Sequence, residues 1–299
     1  MQSRRTGSDR VGGMALSRRM AVIGVGLIGG SLARILREKG EVGEVVGIGR
    51  TEKNLLRAVE LGVIDRYSQD PCEGVRGADL VFLATPVGSI GPMVELIAPF
   101  LADGCIVTDG GSVKSPVVAA CEPLMPPGTH FVGGHPIAGT EKSGVDASFA
   151  TLFQGKRCIL TPTPRTDAQA LETVIRMWEI AGSEVICMDA DKHDRIVAAI
   201  SHLPHMVAYS LVNAVEGYDR LDENILSYSA GGFRDFTRIA SSDPAMWRDI
   251  ALTNRSALLE MMDFFSGYFG RLRSLVESGD GPGLEKFFAE SKKSRDAIR

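Results

Sequence analysis

Apolar and polar residues first fall into a regular rhythm at Met20. MAVIGV (20–25) is an apolar run, a glycine-rich turn follows, Ile28 to Lys39 carries apolar residues at helical spacing, and VVGIG (45–49) is apolar again. Short apolar runs bounded by turn residues predict buried strands, and i, i+3, i+4 spacing between them predicts a helix, so the chain opens on a βαβ unit. Comparable runs recur at LVFLATP (80–86), CIVTDGG (105–111), HFVGGHP (130–136), CILTP (158–162) and EVICM (184–188), with helical patterns between most of them. Strands alternating with helices predict an α/β fold, a mostly parallel sheet covered on both faces.

After about Asp189 the strand signals stop. DRIVAAISHLPHMVAYSLVNAVEG (194–217) and AMWRDIALTNRSALLEMMDFFSGYFGRLRSLVESG (245–279) have helical period, and a short charged helix follows. The chain of 299 residues therefore reads as a disordered tail over 1–19, a sheet domain over 20–189 and an all-α domain over 190–299. No Pro/Ser-rich linker separates the two domains. Between Ala245 and Leu275 the apolar residues Ile250, Leu252, Leu258, Met261, Met262, Phe264, Phe265 and Phe269 occupy more than one helical face. A helix apolar nearly all round must be buried on most sides, which predicts a homodimer.

Composition narrows the partners. With 44% hydrophobic and 23% charged residues the chain has the balance of a soluble globular protein. Its net charge of -4 supplies no overall basic field for nucleic acid, so a small-molecule partner is expected. The five cysteines (Cys72, Cys105, Cys121, Cys158, Cys187) form no C-x-x-C pair and read as reduced thiols rather than a metal or disulfide framework. No apolar stretch approaches the roughly 20 residues of a membrane span, and the basic N-terminus lacks an apolar signal core. The expected location is the cytoplasm, and the start before Met14 or Met20 reads as an upstream extension.

Candidate chemistry begins at Gly24-x-Gly26-x-x-Gly29, directly after a strand and opening a helix. In that context the first glycine allows a tight turn, the second lets backbone approach a pyrophosphate, and the third permits close helix–strand packing. The amides of Leu27 and Ile28 then face the phosphates. The first domain is thus a Rossmann-type dinucleotide-binding domain. The acid that would bind the ribose hydroxyls about 20 residues on is missing: Gly49, Arg50 and Thr51 stand there. NAD+ or NADP+ fits the loop, and Arg50 favours NADP+ through a 2'-phosphate. Thr85 and Pro86 of LATP lie at the carboxyl edge of the sheet, where such folds bind ligands.

TDGGSVK (108–114) and GGHPIAGTEKSG (133–144) reach the same edge and place Ser112 and His135 near the nicotinamide. An imidazole there can take a proton from a substrate alcohol as hydride leaves its carbon. His202 and His205, three apart on a predicted helix, share a face and could serve one anion. Arg234 has the look of a surface charge.

The segments GVGLIGGS, DGGSVK, GGHPIAG, SHLPH and GGFRDFTRIASSDPAMWRDI, in this order and spacing, resemble the prephenate dehydrogenase family, including the arogenate and cyclohexadienyl dehydrogenases of tyrosine synthesis. The likeness runs from about Met20 to beyond Leu275, and the last segment is the most specific. It implies a Rossmann-type domain followed by a helical domain interlocked with its twin in a homodimer. It also implies oxidative decarboxylation of prephenate or arogenate with hydride transfer to NAD(P)+. By motif, His135 is similar to the family's base for the ring hydroxyl, Ser112 to the serine that orients it, and Arg238 to the carboxylate binder. His205, Asp235, Gly231, Glu141 and Trp247 correspond to residues around the substrate, some reaching in from the partner subunit. No segment remains for a fused mutase, and the stretch after the last long helix is too short for a regulatory domain.

Two other readings stay open on the residues alone. One is another Rossmann-plus-helical dehydrogenase of the β-hydroxyacid dehydrogenase or imine reductase type, which GGHPIAG and DFTR argue against. The other is a non-catalytic dinucleotide sensor, which would not need Ser112, His135 and Arg238 together.

Overall fold

The computed structural model describes residues 15–140, 142–219 and 225–298. The chain divides into two compact units, Met1–His193 and Asp194–Arg299, a few residues beyond the boundary expected at 189.

In the first unit the strands β1 (Ser17–Ile23), β2 (Val42–Ile48), β3 (Arg66–Ser68), β4 (Leu80–Leu83), β5 (Ile106–Asp109) and β6 (His130–Val132) form one sheet in the order 3-2-1-4-5-6. Every neighbouring pair is parallel. The order reverses between β1 and β4, the switch point at which such sheets bind ligands. Helices α1 (Leu27–Glu38), α2 (Glu52–Glu60), α3 (Pro71–Gly74), α4 (Ile90–Ile97) and α5 (Ser115–Cys121) occupy the crossovers. Buried strands need apolar residues on both faces, which is why the four residues of β4, LVFL, are all buried. Phe82 meets Trp178 edge-on at 5.8 Å, and Trp178 meets Phe153 in the same way at 5.1 Å.

Two expectations need correcting here, and one strand gave no sign in the sequence. β1 starts at Ser17 rather than Met20: its polar opening residues are satisfied by Asp79, which accepts from the buried Ser17 hydroxyl and from the amide of the exposed Arg18. Residues 1–14 of the expected tail lie outside the described residues. The short strand β3 gave no apolar signal, because RYS carries a single partly buried aromatic. HFVGGHP is two strands, not one: β6 ends at Val132 and β7 (Gly134–Pro136) leaves the sheet.

β7 pairs antiparallel with β8 (Arg157–Leu160), which pairs parallel with β9 (Glu184–Cys187), making a second, three-stranded sheet. α6 (Ala168–Ile180) connects β8 to β9. The chain bends at Gly133, where a Cβ would come within 2.7 Å of both Thr161 Oγ1 and Val118 Cγ2. Only glycine passes so close to its neighbours.

The second unit is helical, as expected. α7 (Ala190–Val197) runs into a five-residue π-turn, Ala198–His202, and then α8 (Leu203–Asp219). The π-turn precedes Pro204, whose ring would clash with the carbonyl four residues earlier in a regular helix. By length and mean hydropathy, 190–218 is the one described helical run that could cross a bilayer. α9 (Gly231–Thr237), α10 (Pro244–Thr253), α11 (Arg255–Glu277) and α12 (Gly281–Asp296) follow. The helical stretch expected over 245–279 is divided at Asn254, which is buried with φ −99° and ψ 33° between α10 and α11. α11 leaves Phe264, Phe265, Tyr268 and Phe269 exposed, with Phe264 at 60%.

Candidate active site

The glycine turn after β1 has the geometry a pyrophosphate requires. Gly24 takes φ +96°, and a Cβ there would lie 2.5 Å from the Ala84 carbonyl oxygen. At Gly29 a Cβ would sit 2.3 Å from the Gly24 oxygen and 2.8 Å from Val22 Cγ1, so this glycine brings α1 down onto the sheet. Gly26 differs: a Cβ would meet nothing within 4 Å. The protein's own packing does not require glycine there, so the open space in front of it is the room a phosphate would fill. Gly26 also caps α1 without a side chain, leaving the first-turn amides of Leu27, Ile28 and Gly29 without an intrahelical acceptor. The Leu27 side chain turns into the core and Ile28 packs against it, so both can serve a ligand only through backbone. Beside the turn, Thr85 Oγ1 is buried with no hydrogen-bond partner among the described residues, and Pro86 is exposed. These features fit a dinucleotide.

At the end of β2, Arg50 is exposed and its carbonyl accepts from Gln69 Nε2 at 2.8 Å. Glu52, the first acid beyond, accepts the Tyr67 hydroxyl at 2.8 Å.

A buried ion pair at the carboxyl end of β5 holds the first residue of β7. Asp109 and Lys114 are both fully buried and bonded through Oδ2 and Nζ. Asp109 Oδ2 also accepts the Gly111 amide at 2.8 Å, and Oδ1 accepts the Gly134 amide at 3.0 Å. Lys114 Nζ donates to the Gly134 carbonyl at 2.9 Å. One acid and one base thus grip Gly134 from both sides of its residue, immediately before His135. A buried ion pair costs several kcal/mol per ion to desolvate, and such saturation with hydrogen bonds is what lets it persist.

His135 is partly exposed, and its Nδ1 lies 2.8 Å from Nε2 of His193, which is fully buried. The rings meet edge to face, with centroids 5.0 Å apart. The described bond from His135 is therefore to His193, and among the described residues Ser112, half-buried, makes none to it. The expected adjacency of Ser112 and His135 is therefore not seen as a hydrogen bond among the described residues. His193 is held at the start of α7, where its amide donates to Asp189 O at 2.9 Å.

The second unit gathers another group. His205 stacks on Trp247, centroids 3.7 Å apart and planes 24° apart, and its Nδ1 donates to Ser201 O at 2.8 Å. Burial pushes the His205 pKa down from its ordinary value, and the charge of Arg238 adds to the effect. Arg238, Asp235 and Gly231 are exposed. Trp247 Nε1 is buried with no partner among the described residues. His202 does turn the same way, edge-on to Trp247 at 5.9 Å, but it is only 1% exposed and its Nδ1 lies 3.1 Å from Asn254 Nδ2. It sits in the core, and an anion shared with His205 finds no support in that burial. Glu141 lies outside the described residues. Among the described residues no group of three or more His, Cys, Asp or Glu side chains could hold a metal.

Three residues of this constellation escaped sequence reasoning. Asp109 and Lys114 lie inside a segment read only for Ser112. His193 is one of just five histidines, and its place straight after the last strand was the available signal.

Comparison with known proteins gives this geometry its context. Residues 32–187 match the family description "Prephenate dehydrogenase, nucleotide-binding domain", and residues 189–290 match "Prephenate dehydrogenase, dimerization domain". This chain belongs to the prephenate dehydrogenase family. Among members of that family, the cyclohexadienyl dehydrogenase of Zymomonas mobilis is 41% identical over 290 residues, 96% of this chain and 98% of that protein. The prephenate dehydrogenase of Bacillus subtilis is 38% identical, over 92% of this chain and 74% of its own length. The crystal structure of prephenate dehydrogenase from Aquifex aeolicus in complex with hydroxyphenyl propionate and NAD+ is similar in fold. Its TM-score is 0.89 at 37% identity, covering 94% of this chain and 98% of that one. As a family member the chain is a dehydrogenase of the prephenate type with a nucleotide-binding domain. The two competing readings yield to this match.

Proposed function

We propose that this chain oxidatively decarboxylates prephenate to 4-hydroxyphenylpyruvate, with arogenate to tyrosine as the alternative reaction of the same site. It does so as a cytoplasmic homodimer in tyrosine biosynthesis. The observation that carries this reading is His135, bonded to a buried histidine and preceded by a residue clamped by a buried ion pair. An imidazole held so firmly is suited to removing one proton from one place. NAD(P)+, when held at the glycine turn by Gly24, Gly26 and Gly29, would take the hydride from the substrate carbon as carbon dioxide departs and the ring becomes aromatic.

In this reading His135 takes the proton of the ring hydroxyl at Nε2, because Nδ1 is committed to His193. Ser112 donates to or accepts from that same hydroxyl. Arg238 pairs with a substrate carboxylate, for which a planar guanidinium is the best bidentate partner. His205, Asp235, Gly231, Glu141 and Trp247 surround the substrate, Trp247 with an indole N–H still to be satisfied. Gly24, Gly26 and Gly29 shape the turn that admits the pyrophosphate, with Thr85 and Pro86 beside it. The exposed aromatic side of α11 is the dimer surface, in keeping with the dimerisation family that matches this unit.

For the cofactor, the Arg50 side chain makes no ion pair among the described residues, while Glu52 accepts the Tyr67 hydroxyl. NADP+ is accepted on this reading, since no carboxylate stands at the end of β2 to repel a 2'-phosphate. The test is the absorbance change at 340 nm with prephenate and with arogenate, each with NAD+ and NADP+. Turnover of at least one substrate is the expected result, and none in any combination would overturn the proposal.

A further inference from the structure

The pairing of His135 with His193 carries a consequence for how the base works. A hydrogen bond between two neutral imidazoles needs one N–H and one lone pair. If His135 is to accept a proton at Nε2, its own proton must reside on Nδ1. That N–H then points at His193 Nε2, which must offer a lone pair. We infer that His193 is the positioning residue of the base: buried and neutral, it accepts from His135 Nδ1, fixes the tautomer that leaves Nε2 basic, and stabilises the imidazolium when the proton arrives. The inference rests on the proposed role of His135.

Hydrolytic triads give this task to a carboxylate. A carboxylate raises the pKa of its histidine and favours the protonated form, which cannot act as a base. A neutral imidazole also fixes orientation and tautomer, and it stabilises the imidazolium less strongly than a carboxylate does. Titratable groups flank the pair along the chain and across the strands. Asp109 and Lys114 neutralise one another beneath Gly134. Cys158 on β8 keeps its proton because burial drives its pKa far up. On α7, Asp191 accepts the Ser115 hydroxyl. Asp189 accepts the Lys192 amide at 2.9 Å through Oδ1, and Asp194 is the next residue of the helix.

The consequence can be measured on the full-length enzyme. His193→Phe fills the space without a ring nitrogen, whereas His193→Gln returns a side-chain acceptor. The Phe variant is expected to lose about ten- to a hundredfold in kcat, with KM for substrate within a factor of about three. Cofactor affinity and melting temperature should stay near wild type, and Gln should recover most of the loss. Long-range imidazole ¹⁵N–¹H correlation supplies a second readout: His135 should be the Nδ1–H tautomer in the wild type and a mixture in the Phe variant. Wild-type turnover in His193→Phe would overturn the inference, as would an Nε2–H tautomer for His135 in the unsubstituted enzyme. If Phe does not fold, Gln and the tautomer measurement still decide. His135→Asn separates the two levels. If it is active, the base assignment fails; if it is inactive while His193→Phe is fully active, only the role of His193 fails.

Discussion

The groups proposed to act on the substrate are held in opposite ways in the two units. In the first, Asp109, Lys114 and His193 are fully buried and tied to backbone or to one another, and only His135 reaches the surface. In the second, Arg238 and Asp235 are exposed, and His205 is propped on one aromatic face. The difference matches the two chemical tasks proposed for them. Proton transfer demands sub-ångström placement of one nitrogen, which a saturated buried network supplies. Capturing a carboxylate demands charge near water, and such groups gain order when the ligand arrives.

The largest effect that can test this contrast is on stability. Lys114→Met leaves the Asp109 carboxylate buried without its counter-charge, and about 3–5 kcal/mol of folding free energy should be lost in urea unfolding. Asp109→Leu combined with Lys114→Met should regain part of that loss, because no lone charge remains, yet turnover should stay low as Gly134 loses both its partners. A double variant with normal turnover would show that the pair serves folding alone.

Arg238→Ala probes the other unit. Losing one charged partner of a bound carboxylate should raise KM by about tenfold or more with kcat nearly unchanged, and it should leave urea unfolding unaltered. A fall confined to kcat would move Arg238 from binding to the transition state.

The smallest effect concerns pH. His205 has its pKa held below 6.5, first by burial and then by Arg238, so it is neutral at pH 7 and already donates its Nδ1–H to Ser201. Folding therefore gains from this group above that window and loses the gain as pH falls through the depressed value. A bound carboxylate favours the protonated ring, so KM for an acidic substrate should decrease by a few-fold between pH 8 and 6. His205→Asn should flatten that slope, and an unchanged slope would assign it to another group.

How much of this was legible in the sequence follows the same divide. The glycine turn, the switch-point strands and the helical second unit announce themselves because period and turn chemistry are local. His135 and Arg238 stand in short motifs at element ends, where local reading works. Asp109, Lys114 and His193 do not, since their roles come from residues 25, 20 and 58 positions away in the chain, at Gly134 and His135. The π-turn at 198–202 was hidden for a related reason: Pro204 signals a break, but which ring is then buried depends on Asn254. The division of HFVGGHP between two sheets likewise depends on Thr161 and Val118, which only the folded chain brings to Gly133.

The most direct test of the whole arrangement is the pH profile of kcat/KM for wild type and for His135→Asn, measured with whichever substrate the 340 nm assay identifies. The wild type should lose activity on the acid side as its base is protonated. His135→Asn should run about a hundredfold or more below it with that acid limb gone and substrate affinity little changed. An asparagine variant that keeps wild-type activity and the same acid limb would contradict the assignment of the base and, with it, the purpose ascribed to the buried network behind it.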